Sequence, residues 1–340
     1  GIRDAQESRG LGDVYKRQTG TRGKSTTTQM IYELLKNNQF PVYFGGSSPH
    51  ISSIEYLKRL TEKDWLLMEL PSWPLSGFHR KKISPHIGVF TNFYPDHLNY
   101  YKTMDDYLFD KKAIYLYQKP TDFLIANKSL EPIISKDHPQ SQVNYYQVVD
   151  FKQKFDHLRG EHNRENAAAA ITVAKVLRLN LSQSFKILKS FKNISYRQQI
   201  VGQKGKIIFV NDTTSTTPIA TIKALEAFGD KNIILILGGN SKNLPGDDLI
   251  TALNSPKKIV LLAGSFTKEI LPRLQKKYPE KLIAVYESLE EAIFKAWELA
   301  QKLSGETYIL FSPGATSFAM FNNEFHRGDE FNKVVQKLIS

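Results

Sequence analysis

The sequence contains no cysteine, which excludes disulfide bonds, thiolate metal sites and thiol nucleophiles. It also has no uninterrupted apolar run of the roughly 18–20 residues that a membrane-spanning helix needs. The first residues lack the apolar core of a secretion signal. We therefore expect a cytoplasmic protein that has no membrane partner.

Acidic residues are in the minority, since 46 Lys and Arg against 34 Asp and Glu give a formal net charge of +12. Such an excess can mark a nucleic-acid-binding protein. Here the basic residues are scattered, with short clusters such as 80–82 and no long basic tract. Scattered charge is typical of a solvated surface, so we expect no nucleic-acid partner.

The 340 residues are enough for two ordinary domains, in which short apolar runs alternate with helix-period segments. This alternation is typical of parallel α/β units. The runs that predict strands are 64–69, 86–91, 206–211, 232–238, 258–264 and 307–312. The segments that predict helices are 24–38, 105–118, 163–178, 217–228, 266–276 and 288–303. The predicted domain boundary lies within 192–205, where a new strand series begins.

The segment TGTRGKSTTT joins a glycine-rich turn to a helix-period segment. Backbone amides around Gly20 and Gly23 could close on phosphate oxygens, with the Lys24 ammonium on the outer phosphates and the Ser25 hydroxyl on Mg²⁺. Gln18 stands where the full Walker A spacing requires glycine. The alternative of an ordinary helix start, capped by Ser and Thr, therefore stays open.

Two predicted strands are followed by polar residues. Glu69 ends the run WLLME, where a P-loop protein needs an acid for its metal ion, although the usual residue is Asp. Asn92, Asp96 and His97 follow the next run, and in open parallel sheets the ligand crevice lies at such strand ends. A surface glutamate and a structural histidine are the alternatives.

Nine motifs occur along the chain in the same order as in the ATP-dependent Mur ligases of peptidoglycan synthesis. They are GTRGKSTTT, ELPSW, TNFYPDHL, YLFDKKAIY, GEHNRENAAAA, YRQQIV, VNDTTSTTP, LGGNSK and SPGATSFAMFNNEFHRG. The chain resembles this family from residue 19 to 340, and the last motif resembles the branch that adds D-glutamate to UDP-N-acetylmuramoyl-L-alanine. The resemblance implies an α/β fold with a P-loop central ATPase domain at 19–194, whose sheet is mostly parallel, and a Rossmann-like C-terminal domain at 195–340.

The resemblance also implies the reaction. ATP would phosphorylate the carboxylate of UDP-N-acetylmuramoyl-L-alanine, and the amino group of D-glutamate would attack the acyl phosphate, in a monomer that uses two Mg²⁺ ions. The implied ATP-binding residues are Gly20, Thr21, Gly23, Lys24, Ser25, Thr26, Asn163, Asn166, Arg197 and Asp212. The implied D-glutamate pocket consists of Thr216, Lys242, Ser317 and Phe318.

Metal ligands and catalytic groups are implied in the same way. Ser25 would hold the first Mg²⁺, and the second would be held by Glu69, His97 and a carbamylated Lys111. A bare ammonium would repel Mg²⁺, whereas a carbamate supplies the hard oxygen ligand that this ion prefers. The implied catalytic residues are Lys24, Lys111, His97 and Arg197.

The chain departs from the family at positions that bear on substrate contacts. Arg22 and Thr214 stand where the family usually has asparagine and lysine. Ser47 replaces a substrate-side asparagine, and the aromatic and acidic residues at Glu324 and Phe325 are transposed.

Residues 1–18 do not fit the resemblance. The family begins with a uridine-nucleotide domain, followed by an apolar strand that leads into the phosphate loop. The stretch GDVYKRQ is too polar to be expected as a central strand, and DAQESRGLGDVYKRQ resembles translated adapter sequence. We therefore expect residues 1–18 to be non-native, and the chain as written to bind ATP weakly and to show no measurable ligation.

Other functions stay open. A folylpolyglutamate or poly-γ-glutamate synthetase would share the ATP site and the fold, but would not explain SPGATSF. A nucleic-acid-dependent P-loop ATPase would explain the charge, but should carry a full Walker A motif. A non-catalytic P-loop regulator descended from a ligase would explain the departures.

Overall fold

The structure is a computed structural model. It describes residues 15–19 (backbone only), 23–46, 56, 60–61, 63–97, 100–156, 158–192, 194–317 and 320–340. Five of the positions singled out in the sequence lie outside the described residues, namely Gly20, Thr21, Arg22, Ser47 and Phe318, and so does the segment 1–14. The chain divides into two compact units, the first comprising 1–95 and 100–191 and the second 96–99 and 192–340.

The first unit is built on a parallel sheet. Its strands are β1 (Tyr15–Thr19), β2 (Val42–Gly46), β3 (Trp65–Glu69), β4 (Ile87–Phe90), β5 (Phe123–Asn127) and β6 (Gln142–Tyr146). They lie in the order β2-β3-β1-β4-β5-β6, and every neighbouring pair is parallel. All the loops at the carboxyl ends of these strands therefore open at one edge of the sheet.

Helices connect these strands. They are α1 (Lys24–Asn37), α2 (Ser72–Lys81), α3 (Met104–Lys112), α4 (Glu131–Ile134), α5 (Glu161–Val176) and α6 (Leu181–Lys189). Helix α1 buries Met30, Ile31, Leu34 and Leu35, whose spacing places them on one face. Helix α5 buries four consecutive alanines at 167–170, and small side chains allow close packing on several sides of a helix.

Helix α3 is shorter than the sequence predicted. It starts at a capping box, in which the Thr103 hydroxyl accepts a hydrogen bond from the Asp106 amide and the Asp106 carboxylate accepts one from the Thr103 amide. It ends at Lys112 instead of 118 because the following residues form tighter turns. There the amides of Ile114 and Tyr115 donate to carbonyls three residues back.

The polar segment before the phosphate loop does form a central strand, so the expectation drawn from its composition is wrong. Strand β1 lies between β3 and β4, with Gln18 opposite Glu69 and Thr19 opposite Phe90. Ladder hydrogen bonds join backbone groups that almost every residue carries, so polar side chains do not prevent pairing on both sides. That residues 1–18 are non-native stays a prediction.

The second unit has a mixed sheet. Its strands are β7 (Gln199–Lys204), β8 (Ile207–Asn211), β9 (Asn232–Gly238), β10 (Lys258–Leu262), β11 (Leu282–Tyr286) and β12 (Thr307–Phe311). They lie in the order β11-β10-β9-β12-β8-β7, and all pairs are parallel except β7 with β8. The predicted fold class, α/β with mostly parallel sheets, is confirmed.

Both faces of the second sheet are covered. Along β9, Ile233 and Leu235 belong to one apolar core, whereas Ile234 and Ile236 belong to another. Successive side chains of a strand point to opposite faces, so a strand buried on both sides is an unbroken apolar run. The covering helices are α7 (Pro218–Phe228), α8 (Asp247–Ala252), α9 (Ser265–Lys277), α10 (Leu289–Gln301) and α11 (Glu324–Ile339).

Across the described part of the chain, none of the helices has both the length and the apolar composition to cross a bilayer.

The backbone of Ile114 packs closely against Gly88 in the first unit, so we predict that Gly88→Ala destabilises the fold. Gly88 is buried in β4, where an added Cβ would lie 2.7 Å from the Ile114 carbonyl oxygen, so backbone would have to move. Overpacking of this kind costs about 1–3 kcal/mol. The control is Gly77→Ala in α2, whose Cβ would meet only the flexible Arg80 side chain at 3.6 Å.

Urea unfolding of both variants checks this prediction. We expect the free energy of unfolding to fall for Gly88→Ala and to stay equal or rise for Gly77→Ala, because alanine favours a helix more than glycine does. Equal stability of the two variants would contradict the close approach.

Candidate active site

A strand and a helix flank the glycine-rich segment of the first unit. Strand β1 leads through the loop to α1, and Gly23 is the last residue before the helix. Gly23 has φ +78°, a left-handed conformation that side chains disfavour. A Cβ at this position would lie 2.2 Å from Oδ1 of Asn166. The glycine is therefore required both for its backbone angle and for its lack of a side chain.

Helix α5 braces the start of α1 through two asparagines, each only 6% exposed. The Thr27 hydroxyl donates to Oδ1 of Asn166 at 3.2 Å. The Asn166 amide donates to Asn163 Oδ1 at 3.3 Å, and the Asn163 amide donates to the Arg159 carbonyl at 2.6 Å. The structure thus places both asparagines beside the phosphate loop. That both asparagines bind ATP stays a prediction.

Lys24, Ser25 and Thr26 are the first three residues of α1. The backbone amides of a first helical turn have no acceptor within the helix, and the helix dipole favours negative charge there. No acidic side chain occupies this turn. The turn can therefore hold an anion such as a phosphate group.

Glu69 and Lys111 are placed by the same unit. Glu69 ends β3 directly opposite Gln18 of β1, so it lies at the sheet edge from which the loop leaves. Lys111 is 1% exposed near the end of α3, with its ammonium nitrogen 4.8 Å from the centre of the Tyr107 ring. Burying an ammonium is costly, so Lys111 is not an ordinary surface lysine.

His97 falls in the second unit, whereas Glu69 and Lys111 fall in the first. Its backbone is left-handed, with φ 55°, and its amide donates to Oδ1 of Asp96 at 2.9 Å. Among the described residues, no three His, Cys, Asp or Glu side chains form a metal-binding cluster. The predicted ligands of the second Mg²⁺ are Glu69, His97 and a carbamylated lysine, and a lysine is not one of these four residue types. This ligand set therefore stays a prediction.

Three loops meet at the carboxyl edge of the second sheet. They follow β8, β12 and β9, which are neighbours in the sheet, and they carry Thr216, Ser317 and Lys242. The Ser215 carbonyl accepts a hydrogen bond from the Gly314 amide at 2.8 Å, which joins the first loop to the second. A bridge between Asn240 and Thr316 joins the second loop to the third.

The three described residues of the predicted pocket, Thr216, Lys242 and Ser317, therefore share one edge of the sheet. The Lys242 ammonium lies 3.3 Å from the Thr216 hydroxyl. Ser317 is 4% exposed, and its hydroxyl has no hydrogen-bond partner among the described residues. A buried hydroxyl without a partner is costly, so this arrangement fits a polar ligand group that would complete it.

Asp212 is buried at the start of the first of these loops. Its carboxylate accepts hydrogen bonds from the hydroxyls of Ser215 at 2.6 Å and Ser312 at 2.8 Å, and from the Gln198 amide at 3.1 Å. Burial raises the pKa of Asp212 to about 6, although these donors and the charge of Arg197 oppose the rise. The resemblance implies that Asp212 binds ATP, which stays a prediction. In the structure its carboxylate joins three segments of the unit.

Arg197 lies between two residues in the left-handed region, Tyr196 with φ 66° and Gln198 with φ 47°. Such non-glycine residues store strain and persist where the surroundings hold them. Here the Tyr196 hydroxyl donates to Asp329 at 2.6 Å and the Gln198 amide to Asp212. The backbone around Arg197 is therefore held in one conformation, which sets the direction in which its side chain leaves the main chain.

The three described departures from the family pattern, Thr214, Glu324 and Phe325, have local roles. The Thr214 hydroxyl donates to the Tyr196 carbonyl at 2.9 Å, and the Phe325 ring meets the Tyr196 ring edge-on. The Glu324 carbonyl accepts a hydrogen bond from the Thr213 hydroxyl at 3.2 Å. These residues support the segment that carries Arg197. No pattern in the sequence indicates these contacts, because Phe325 and Glu324 lie more than a hundred residues from their partners.

Comparison with known proteins shows the family. The Mur ligase middle domain matches residues 19–155. The UDP-N-acetylmuramoylalanine-D-glutamate ligase of Borreliella afzelii (strain PKo) is 33% identical over 342 residues, which cover 94% of this chain and 74% of that protein. The chain belongs to the Mur ligase family. It is accordingly a ligase that forms carbon–nitrogen bonds and acts on small molecules.

Solved structures share the fold. The Mur ligase MurF of Thermotoga maritima, solved in complex with ADP, is 19% identical with a TM-score of 0.68, over 97% of this chain and 82% of that one. Folylpolyglutamate synthase of Mycobacterium tuberculosis, solved with ADP and AMPPCP, is 13% identical with a TM-score of 0.70, over 98% of this chain and 93% of that one. At such identities the likeness concerns the fold alone, so it does not favour a folylpolyglutamate synthetase.

The geometry around Gly23 predicts that Gly23→Ala weakens nucleotide binding. The variant would force a side chain into a left-handed position and against Asn166, which displaces the phosphate loop. Gly205→Ala is the matched control, because Gly205 also has a left-handed φ of +58° but has no atom within 4 Å of an added Cβ. Strain of this backbone type costs on the order of 1–3 kcal/mol in either variant.

Calorimetric titration with ATP and Mg²⁺, together with thermal unfolding, separates the two effects. We expect both variants to lose stability, and only Gly23→Ala to lose about tenfold or more in affinity, which corresponds to about 1.4 kcal/mol. Unchanged affinity in a folded Gly23→Ala variant would show that the loop does not bind the nucleotide.

Proposed function

We propose that this chain is an ADP-forming ligase that joins D-glutamate to UDP-N-acetylmuramoyl-L-alanine, with ATP as the phosphoryl donor. The observation that carries the proposal is the 33% identity to a D-glutamate ligase over 94% of the chain, which spans both units. It therefore includes the loops of the second sheet edge as well as the phosphate loop. A likeness confined to the first unit would leave the amino acid open.

The first unit fits ATP and Mg²⁺. Because Gly23 has no side chain, Asn166 can pack against the start of α1. The first turn of α1 offers backbone amides to phosphate oxygens. The Ser25 hydroxyl and the Glu69 carboxylate are hard oxygen donors of the kind that Mg²⁺ prefers. Bound Mg²⁺ would neutralise charge on the phosphate oxygens.

The second unit fits an amino acid with two carboxylates. Lys242 and Thr216 offer an ammonium and a hydroxyl 3.3 Å apart, and the buried Ser317 hydroxyl lacks a partner among the described residues. Hydrogen bonds from charged donors to carboxylates are about twice as strong as neutral ones. We assign these residues to the carboxylates of D-glutamate.

The chemistry that remains for the protein is mainly positioning. In the proposed reaction a substrate carboxylate oxygen attacks the γ-phosphorus of ATP and ADP leaves. The D-glutamate amino group then attacks the acyl carbon, phosphate leaves, and the amine gives up a proton. The Lys24 ammonium and the α1 amides hold the phosphates, and Lys242 with the two hydroxyls holds the nucleophile. Holding both reactants in one geometry can supply about 7–11 kcal/mol of the barrier.

Phosphate release tests the proposed function. The chain is supplied with ATP, Mg²⁺ and UDP-N-acetylmuramoyl-L-alanine, and D-glutamate is compared with L-glutamate, L-alanine and a diamino acid. Strand β1 completes the first sheet despite its polar sequence. In place of the absent turnover expected from the composition of residues 1–18, we therefore expect phosphate release and a new amide product with D-glutamate only. Turnover with one of the other amino acids would reassign the substrate, and tight binding of nucleic acid without turnover would overturn the proposal.

We further propose that Lys111 carries a carbamate when the enzyme is active. The proposal is supported by its 1% exposure and by the need for an anionic group at a metal site. Lys111→Ala should lose ligation and regain part of it with added formate or acetate. The control is Lys112→Ala on the same helix, which removes an ion pair to Asp137 of 2.8 Å and should keep ligation.

A second measurement of the carbamate does not depend on activity. Wild-type protein equilibrated with ¹³C-bicarbonate should show a protein-bound carbamate resonance that Lys111→Ala lacks and Lys112→Ala keeps. Full activity of Lys111→Ala without a supplement would contradict the assignment.

A further inference from the structure

Arg327 is the largest of the fully buried side chains, with 1% exposure in the first turn of α11. It belongs to the motif SPGATSFAMFNNEFHRG, but it is not among the residues proposed to bind ATP, Mg²⁺ or D-glutamate. Burial lowers its pKa to about 10, which still leaves the guanidinium charged at neutral pH. A buried charge needs a compensating set of partners, so these partners indicate what the residue does.

The side-chain hydrogen bonds that Arg327 makes to described residues all reach the loops of the candidate amino-acid pocket. Its Nε donates to the Thr213 hydroxyl at 2.9 Å and one terminal nitrogen to the Thr213 carbonyl at 2.8 Å. The other terminal nitrogen donates to the Ala315 carbonyl at 3.2 Å. Thr213 precedes Thr216 in one loop, and Ala315 precedes Ser317 in the next. The planar guanidinium therefore bridges the two loops.

These contacts are unusual for a buried arginine. Within the described ranges no carboxylate lies at ion-pair distance from it, and its acceptors are neutral oxygens of two loops. Packing alone would be served equally well by an apolar side chain, which often stabilises a core more than a buried charge does. A guanidinium, unlike an apolar side chain, can donate hydrogen bonds to both loops at once and so hold them at a fixed separation.

The neighbouring glycine makes this bridge possible. A Cβ at Gly328 would lie 2.4 Å from the Tyr196 ring and 2.6 Å from the Thr213 methyl group. The Gly328 carbonyl also accepts a hydrogen bond from the Asn211 side chain at 2.9 Å. The absence of a side chain at this position lets α11 approach the loop closely enough for the Arg327 side chain to reach both loops.

We propose that Arg327 is a positioning residue for the amino-acid substrate. By fixing Thr213 and Ala315 together, it sets the separation of the Thr216 and Ser317 hydroxyls that receive the carboxylates of D-glutamate. Arg327 contacts the loops and not the substrate, so it acts through them. The inference rests on the proposed function and adds to it the element that shapes the amino-acid pocket.

The test compares Arg327→Lys with Arg273→Lys. Lysine keeps the charge but cannot reproduce the planar fork, so it cannot serve both loops at once. Arg273 is a 44% exposed arginine of the same unit that pairs with Asp247, which makes it a matched control. Michaelis constants for D-glutamate and for ATP are measured separately, and amide hydrogen exchange is followed in the loops 212–217 and 312–317 and in β9.

We expect Arg327→Lys to raise the Michaelis constant for D-glutamate about tenfold, the size expected when a charged hydrogen bond is lost, and to leave that for ATP within about twofold. Exchange should quicken in both loops and stay slow in β9. Arg273→Lys should match the wild type. Should Arg327→Lys fail to fold, Thr213→Val, which removes the hydroxyl acceptor at similar volume, should give the same selective change.

Two results would overturn the inference. One is an unchanged Michaelis constant for D-glutamate in the folded variant. The other is an equal rise for both substrates with faster exchange in β9, which would mean that Arg327 only stabilises the unit. If the wild type itself shows no turnover with D-glutamate, the proposed function fails and the inference falls with it, a result distinct from a defect confined to the variant.

Discussion

The burial of both faces of a parallel sheet is the constraint on which the rest of this structure depends. A parallel pair needs a crossover between its strands, and helices in those crossovers cover the sheet on both sides. Every loop from a strand into the following helix then opens at one edge. In the first unit this brings Glu69 beside the strand that enters the phosphate loop. In the second it brings the loops after β8, β12 and β9 together.

Within that framework, a few positions without side chains and a few buried polar groups set the shape of each site. Gly23 leaves room for Asn166, and Gly328 leaves room for Tyr196 and Thr213. Buried polar groups are stable only when they are hydrogen-bonded, so Asn166, Asp212 and Arg327 each fix the segments that satisfy them. Leaving such groups unpaired would cost free energy, so each of them favours one arrangement of the segments it joins.

The strands that were predicted from the sequence are strands buried on both faces. Strands β3, β4, β8, β9, β10 and β12 lie inside their sheets and were predicted correctly, since burial on both faces makes a strand an unbroken apolar run. The edge strands β2, β6, β7 and β11 were all missed, and so was β5, although it lies inside the first sheet. An edge strand has fewer neighbours to cover it, and β7 leaves Ile200 53% exposed. Strand β1 was wrongly rejected because its pairing depends on backbone groups.

The sequence located residues of the candidate site but not the contacts between distant segments that hold them. Motif order led to Lys24, Glu69, Lys242 and Ser317, which the structure places at sheet edges or at the start of a helix. Motifs do not reveal bonds between distant segments, such as those of Arg327 to Thr213, which lies over a hundred residues earlier. The helix around Arg327 was also missed, because its arginine and glycine interrupt the apolar period.

The central claim is that the chain activates a carboxylate as an acyl phosphate, and isotope transfer tests it most directly. UDP-N-acetylmuramoyl-L-alanine labelled with ¹⁸O in its carboxylate is turned over with ATP and D-glutamate, and the phosphate released is examined by ³¹P NMR. The account predicts one ¹⁸O atom in each phosphate, because the carboxylate oxygen that attacks phosphorus leaves with it. Unlabelled phosphate formed together with the amide product would contradict the account.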